Sequence, residues 1–101
     1  MKTMTPLPAE KIAAALQAVP AWAQHAKTIT RTYKFEDFLM SVAFVRRVAK
    51  RAEKLDHVPD IDIRFDKVTL TNTTHDAGGL TEKDFDLAEQ CDVVFSKFLE
   101  T

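Results

Sequence analysis

Three histidines stand in the 101 residues, and two of them, His57 and His75, are spaced so that folding can bring them together. Imidazole changes charge near neutral pH without any special surroundings, so two of them in one cleft can move protons in both directions. Glu53 lies four residues before His57. If both occupy the last turn of a helix, the carboxylate reaches the ring and pairs with its charged form, as does the helix C-terminus. The same residues have a plainer reading, in which a histidine closing a helix is a cap and one ending a strand is a surface residue. Other chemistry finds less footing. His25, His57, His75 and Cys91 show no metal-ligand spacing, and Ser41 and Ser96 fall in helical stretches with no nucleophile elbow. Cys91 lies on the apolar side of its helix, where a small hydrophobe is the usual role.

The elements that must position the two imidazoles can be read from periodicity. Phe35, Phe38, Val42, Val45, Ala49, Ala52 and Leu55 recur at spacings of three and four, which predicts a helix over 36–56 with that stripe toward the core. Met40, Phe44 and Val48 form a neighbouring sector, read here as a subunit contact. Pro59 stops the helix and drives Val58 into extended backbone. Ile61, Ile63 and Phe65 then alternate with Asp60, Asp62 and Arg64, and Val68 and Leu70 alternate with Thr69, Thr71 and Thr73, which predicts a hairpin. With Asp66 and Lys67 as its turn, position 65 pairs with 68, 63 with 70, 61 with 72 and 59 with 74. One step further sets 75 opposite 58, beside His57. Asp-Lys is a weak turn pair, so a one-residue slip or a longer loop stays open. Gly78 and Gly79, the only glycines, lead into a last helix over 81–99 with Thr81 as N-cap and Phe85, Ala88, Cys91, Phe95 and Phe98 inward.

Upstream, Ile12, Leu16 and Val19 predict a short helix over 7–19, begun at Pro8 and ended by Pro20. Residues 22–35 follow period two, with Ile29, Arg31, Tyr33 and Phe35 on one side and Thr28, Thr30, Thr32 and Lys34 on the other. They read as two strands broken around 24–27. The order is helix, two strands, helix, two strands, helix. It predicts an α+β domain over 1–101, a four-stranded antiparallel sheet with three helices on one face and threonines and charges on the other.

Composition bounds the partners. A chain that is 46% hydrophobic and 29% charged fits one compact soluble domain. Its net charge of -1, from 14 basic and 15 acidic residues, excludes recruitment of nucleic acid or an anionic membrane by overall charge. Arg46, Arg47, Lys50, Arg51 and Lys54 crowd one helix, but cations near a helix C-terminus complement its dipole, and Arg46 and Lys50 fall on its solvated face. No nucleic acid partner is expected. One cysteine fits a reducing compartment, so a cytoplasmic location is expected. No apolar stretch approaches the roughly 20 residues of a membrane helix. Residues 12–16 are too short for a secretory leader.

The run Glu53-Lys54-Leu55-Asp56-His57-Val58-Pro59 precedes Thr74-His75-Asp76-Ala77-Gly78-Gly79-Leu80-Thr81, with His75 eighteen positions after His57 and Asp84 beyond. This pattern resembles the pterin-4a-carbinolamine dehydratases, and the likeness covers most of the chain, from Tyr33-Lys34-Phe35 through the last helix. Glu53, His57, Pro59, Phe65, His75 and Asp84 fall at the family's spacing. The resemblance implies a cytoplasmic hydro-lyase that removes water from 4a-hydroxytetrahydropterin, giving quinonoid dihydropterin for tetrahydrobiopterin recycling. The pterin is then the substrate, with no cofactor or metal, and the chain is a homodimer or homotetramer.

By position, the resemblance makes His57 and His75 the acid/base pair and Glu53 the group that orients and charges His57. His57, Val58, Pro59, Thr74, His75, Asp76 and Ala77 would line the pterin pocket. Asp84, in Thr81-Glu82-Lys83-Asp84, reads chiefly as part of a helix-start box that supports the site by fixing the loop after His75. Val58 stands where relatives usually carry a second histidine, which removes one polar contact. Ile61 and Asn72 stand where an aromatic and an apolar residue are common, and Asn72 would bury an amide and reshape the pocket floor. The resemblance carries an alternative role as well. Some relatives bind transcription-factor dimerisation helices and distant ones serve Rubisco assembly, work that needs a protein-binding surface without acid/base residues.

Overall fold

The computed structural model describes residues 5–99; the ends of the expected 1–101 domain lie outside the described residues. The elements are α1 (Ala9–Ala18), β1 (Ala23–His25), β2 (Thr28–Lys34), α2 (Phe38–Leu55), β3 (Asp60–Arg64), β4 (Lys67–Asn72), a 3-10 turn (His75–Ala77) and α3 (Glu82–Leu99). The strands form one antiparallel sheet in the order β1-β2-β4-β3. This is the predicted α+β arrangement, with a short 3-10 turn added after β4. No helix of the described residues is long and apolar enough to cross a membrane.

The core lies between the helices and the inward residues of the two central strands. Ile29, Tyr33, Val68 and Leu70 are fully buried there with Phe44, Val48, Leu87 and Cys91. Tyr33 stacks on Phe44 and Phe95 at centroid distances of 4.7 and 4.9 Å, and Phe35 lies 5.0 Å from Phe44. Such tilted aromatic contacts add to the area that each ring buries. The opposite face of the sheet carries the threonines, where Thr32 and Thr69 pair across the strands at 2.8 Å.

Two expectations are corrected. The buried stripe of α2 is Ser41, Phe44, Val48 and Ala52, whereas Phe38 and Val42 are exposed. The apolar sector left over is thus Phe38, Leu39 and Val42, and Phe44 and Val48 are core residues with no part in a subunit contact. Both stripes have helical spacing. The one carrying the phenylalanine that meets Tyr33 and Phe35 is the one that is buried. Asp37 caps the helix by accepting from the Met40 amide at 2.9 Å.

The hairpin register is the second. Its turn is Phe65 and Asp66, not Asp66 and Lys67, so Ile63 pairs with Val68 and Ile61 with Leu70. Inward alternation survives the slip, but Phe65 leaves the core face for an exposed turn position at φ 54°. The carbonyl of Asp66 accepts from the Phe35 amide at 2.8 Å, and its carboxylate meets Lys34 at 3.4 Å. Those contacts to β2 anchor the turn one residue earlier than the apolar pattern implies. The β1-β2 turn also uses a positive φ at a non-glycine, Ala26 at 52°.

Candidate active site

His57 is delivered to its place by the way α2 ends. Asp56 adopts a left-handed conformation (φ 54°, ψ 44°), its amide donates to the Glu53 carbonyl at 3.2 Å, and the His57 amide donates to the Ala52 carbonyl at 3.0 Å. This pair of bonds is a Schellman stop, which reverses the chain and sets the residue after the left-handed one against the last turn. Aspartate is among the few residues other than glycine that tolerate the conformation. Val58 and Pro59 follow outside any helix or strand before β3 begins.

His75 arrives from the other side. β4 stops at Asn72, and His75 opens the 3-10 turn three residues later instead of ending the strand. The Thr74 amide donates to the Gly79 carbonyl at 3.1 Å, and the Gly79 amide returns to Thr74 at 3.4 Å, closing residues 74–79 into a compact loop. Gly78 sits at φ 73°, a region that side chains disfavour. Gly79 faces Pro6, whose Cβ would lie 3.1 Å from an added Cβ.

α3 supplies the group that unites the two segments. Thr81 accepts from the Lys83 amide at 3.3 Å, and Asp84 Oδ2 accepts from the Thr81 amide at 2.9 Å, which makes the expected helix-start box. The same Oδ2 accepts from the Thr74 hydroxyl at 2.8 Å. That donation uses the only Thr74 hydroxyl proton, so in the 2.8 Å contact between Thr74 and Thr81 the Thr81 hydroxyl is the donor. Asp84 Oδ1 lies 2.6 Å from Nε2 of His57. Asp84 is therefore a fully buried carboxylate with three donors, from a helix start, a loop threonine and an imidazole.

A carboxylate only accepts, so Nε2 of His57 carries the proton in this contact and Nδ1 is the nitrogen left for a ligand. The partner of the ring is Asp84 rather than Glu53, which is exposed on the last turn of α2. Asp56, His57, Val58, Thr73, Thr74, His75, Asp76 and Lys83 line one cleft of about 340 Å³. The two histidines thus share a cleft, as do Val58, Thr74 and Asp76 from the expected lining. Pro59 is buried and Ala77 half-buried, and neither lines it. Ile61 lies out on β3, opposite Leu70. Asn72 is fully buried, with Nδ2 donating to the Asp84 carbonyl at 3.0 Å and Oδ1 without a partner among the described residues.

Sequence reasoning missed Asp56, Thr73 and Lys83 in the lining and gave Asp84 too small a part. The box Thr81-Glu82-Lys83-Asp84 held a usable cue, because its acidic residue spends one oxygen on the cap and leaves the other free. Among the described residues, no group of three or more His, Cys, Asp or Glu side chains is placed to hold a metal ion.

His57, held by a buried carboxylate, and His75 thus line one cleft on a helix-and-sheet scaffold. The family model described as pterin 4 alpha carbinolamine dehydratase matches residues 5–94, and the chain belongs to that family. A protein of Acidobacterium capsulatum, provisionally named as a pterin-4-alpha-carbinolamine dehydratase, is 51% identical over 85 residues, covering 84% of this chain and 92% of its own length. One of Nocardia farcinica with the same provisional name is 52% identical over 83 residues, or 82% of this chain and 87% of that one. The crystal structure of a transcriptional coactivator/pterin dehydratase from Brucella melitensis superposes with a TM-score of 0.85 at 33% identity, covering 89% of this chain and 98% of that one. A pterin dehydratase-like protein identified as a RuBisCO assembly factor in the alpha-carboxysome shares the fold, with a TM-score of 0.59 at 18% identity over 72% of this chain and 84% of the other.

Proposed function

We propose that the chain dehydrates 4a-hydroxytetrahydropterin to the quinonoid dihydropterin and water, as a step in tetrahydrobiopterin recycling. The observation that carries this reading is the 2.6 Å contact of His57 with Asp84 beside a cleft that His75 also lines. In the reaction the bond from C4a to the hydroxyl oxygen breaks and the oxygen keeps the electron pair. The N5 lone pair forms the new C4a–N5 double bond, and a ring-nitrogen proton is lost. One group must protonate the departing oxygen and one must take the ring proton, with no net oxidation, so the reading calls on no cofactor or metal.

His57 and His75 fill these two roles. Asp84 fixes the tautomer and aim of His57, which makes it a positioning residue, and the role first given to Glu53 passes to it. Val58, Thr74 and Asp76 line the bound pterin, and Asp56, Thr73 and Lys83 join them. Pro59 and Ala77 shape the segments behind that lining. The reading places the reaction in the cytoplasm of its source cell.

A second reading keeps the scaffold but gives it a protein partner, of the transcription-factor or assembly-factor type. Val58 supports it, being 71% exposed at the cleft where a second histidine is usual. A stopped-flow dehydration assay on freshly generated 4a-hydroxytetrahydropterin separates the two, using wild type and Val58→His. Acceleration by wild type supports the dehydratase. An inert wild type with an active Val58→His variant rejects it in favour of the binding role.

A further inference from the structure

Four cations converge on one hollow between the two long helices, away from the candidate active site. Arg47, Lys50 and Arg51 share a face of α2, and with Val94 and Lys97 of α3 they line a cavity of about 200 Å³. Val94, which is buried, is the one apolar residue of that lining, and no acidic residue belongs to it. None of the four cations has an ion-pair partner among the described residues.

Helix stability does not account for the cluster. The dipole of α2 favours cations only in its last turn, and there the basic residue is Lys54. Arg47 lies further in, and residues three and four apart on a helix are neighbours, so Lys50 and Arg51 both repel it. Lys97 adds a fourth charge from the last turn of α3. Two of the guanidinium groups are nonetheless held in place. Arg47 Cζ lies 4.7 Å from the centroid of the Phe98 ring, and Arg51 Nη1 donates to Gln90 Oε1 at 2.6 Å. A neutral amide oxygen takes one guanidinium donor and leaves the others for a ligand.

We infer that this hollow binds a diphosphate group, free or carried on a small organic molecule. Guanidinium forks match phosphoryl oxygens in pairs, and ammonium groups add charge without a fixed geometry. Four positive charges with no carboxylate among them answer a polyanion better than the single charge of a carboxylate ligand. The cavity is smaller than the roughly 300 Å³ of an ordinary small-molecule pocket, so it takes the ionic group and leaves any organic part in solvent. A nucleic acid fits less well, because a net charge of -1 provides no field to hold a long polyanion. The inference does not rest on the dehydratase reading, since none of these residues lines the histidine cleft.

Calorimetric titration of the full chain at low ionic strength, with inorganic pyrophosphate, inorganic phosphate and adenosine diphosphate as probes, tests this together with amide NMR shifts. Pyrophosphate is expected to bind at least about tenfold more tightly than phosphate, with shifts centred on residues 47–51 and 90–97. Lys50→Gln and Lys97→Gln, both at exposed positions, should each weaken pyrophosphate binding by about fivefold to tenfold. Lys54→Gln, exposed but outside the hollow, should weaken it by less than about twofold. Adenosine diphosphate bound as tightly as pyrophosphate assigns the site to the diphosphate group alone, and tighter binding assigns it to a group carried on an organic molecule. An absence of shifts at these residues overturns the inference. So does an equal loss in all three lysine variants, which would mark diffuse attraction by the whole helix, or tighter binding of a short DNA duplex that Lys50→Gln and Lys97→Gln abolish.

Discussion

Two carboxylates on α3, eight residues apart, each gather three donors, and they do different work. Asp84 accepts from His57, Thr74 and the Thr81 amide with both oxygens, entirely out of solvent. Asp92 takes Trp22 Nε1 at 3.0 Å, the Arg31 guanidinium at 2.8 Å and the Tyr33 hydroxyl at 2.5 Å on Oδ1 alone, at a partly exposed place. The partners of Asp92 belong to the first hairpin and the segment before it, so this carboxylate ties β2 to α3. Arg31 also lies 4.3 Å over the Tyr33 ring, which keeps the guanidinium packed as well as paired. Asp84 holds an imidazole that lines a cleft. One network fastens the fold, and the other sets the aim of an imidazole at the cleft.

The largest effect that separates the two regions is expected at His75. It is exposed and contributes nothing to the core, so His75→Ala should lower the dehydration rate between about a hundredfold and ten-thousandfold while the melting temperature stays put. A parallel loss of stability would show that the residue has a structural part. Next comes Asp92→Ala, which leaves a guanidinium and a phenol without their acceptor. Unfolding in urea should show a loss of about 2–3 kcal/mol with turnover by the folded protein preserved.

The hairpin end of the core also predicts an alkaline limit. Burial pushes the Cys91 thiol up to about 12 from an ordinary 9.0. Burial, and then the hydrogen bond to Asp92, raise the Tyr33 phenol above its usual range as well. Both groups are neutral in the fold and ionise more readily in the unfolded chain. Their contribution is complete below pH 9 and is lost as pH climbs toward 12. Melting temperatures across pH 7–12 should fall only above about 9, and Cys91→Ala should delay the onset. The smallest effect belongs to Asn72. Replacing it by leucine removes a buried acceptor that has no partner among the described residues, against the loss of the Nδ2 bond to the Asp84 carbonyl, and chemical denaturation should show a net gain of about 1 kcal/mol.

The parts of this comparison differ in how legible they were. Element order and sheet composition followed from periodicity, since the apolar residues of β2, β3 and β4 keep period two through the whole sheet. The face of α2 did not, because two apolar stripes compete on it and only the tertiary position of Phe44 chooses between them. The hairpin register slipped because an aromatic in a turn looks like one more inward residue until the contacts of Asp66 with Phe35 and Lys34 are known. At the site, the nearness of His57 and His75 was readable even from a misplaced register, since the segments before β3 and after β4 both lie at the open end of the hairpin. The partner of His57 was not. Glu53 is close along the helix, but the Schellman stop turns the chain at Asp56 and brings the ring to α3, 27 residues away. Sequence proximity ranks local carboxylates first, and the fold chose a distant one.

The claim at the centre of this account is that Asp84 aims a proton-transferring His57 whereas Asp92 only fastens the fold. Stopped-flow dehydration of 4a-hydroxytetrahydropterin by folded Asp84→Asn and Asp92→Asn proteins tests it most directly. The account predicts a rate at least about a hundredfold below wild type for Asp84→Asn and within about threefold of wild type for Asp92→Asn. Equal losses in the two variants, or full activity in Asp84→Asn, would contradict it.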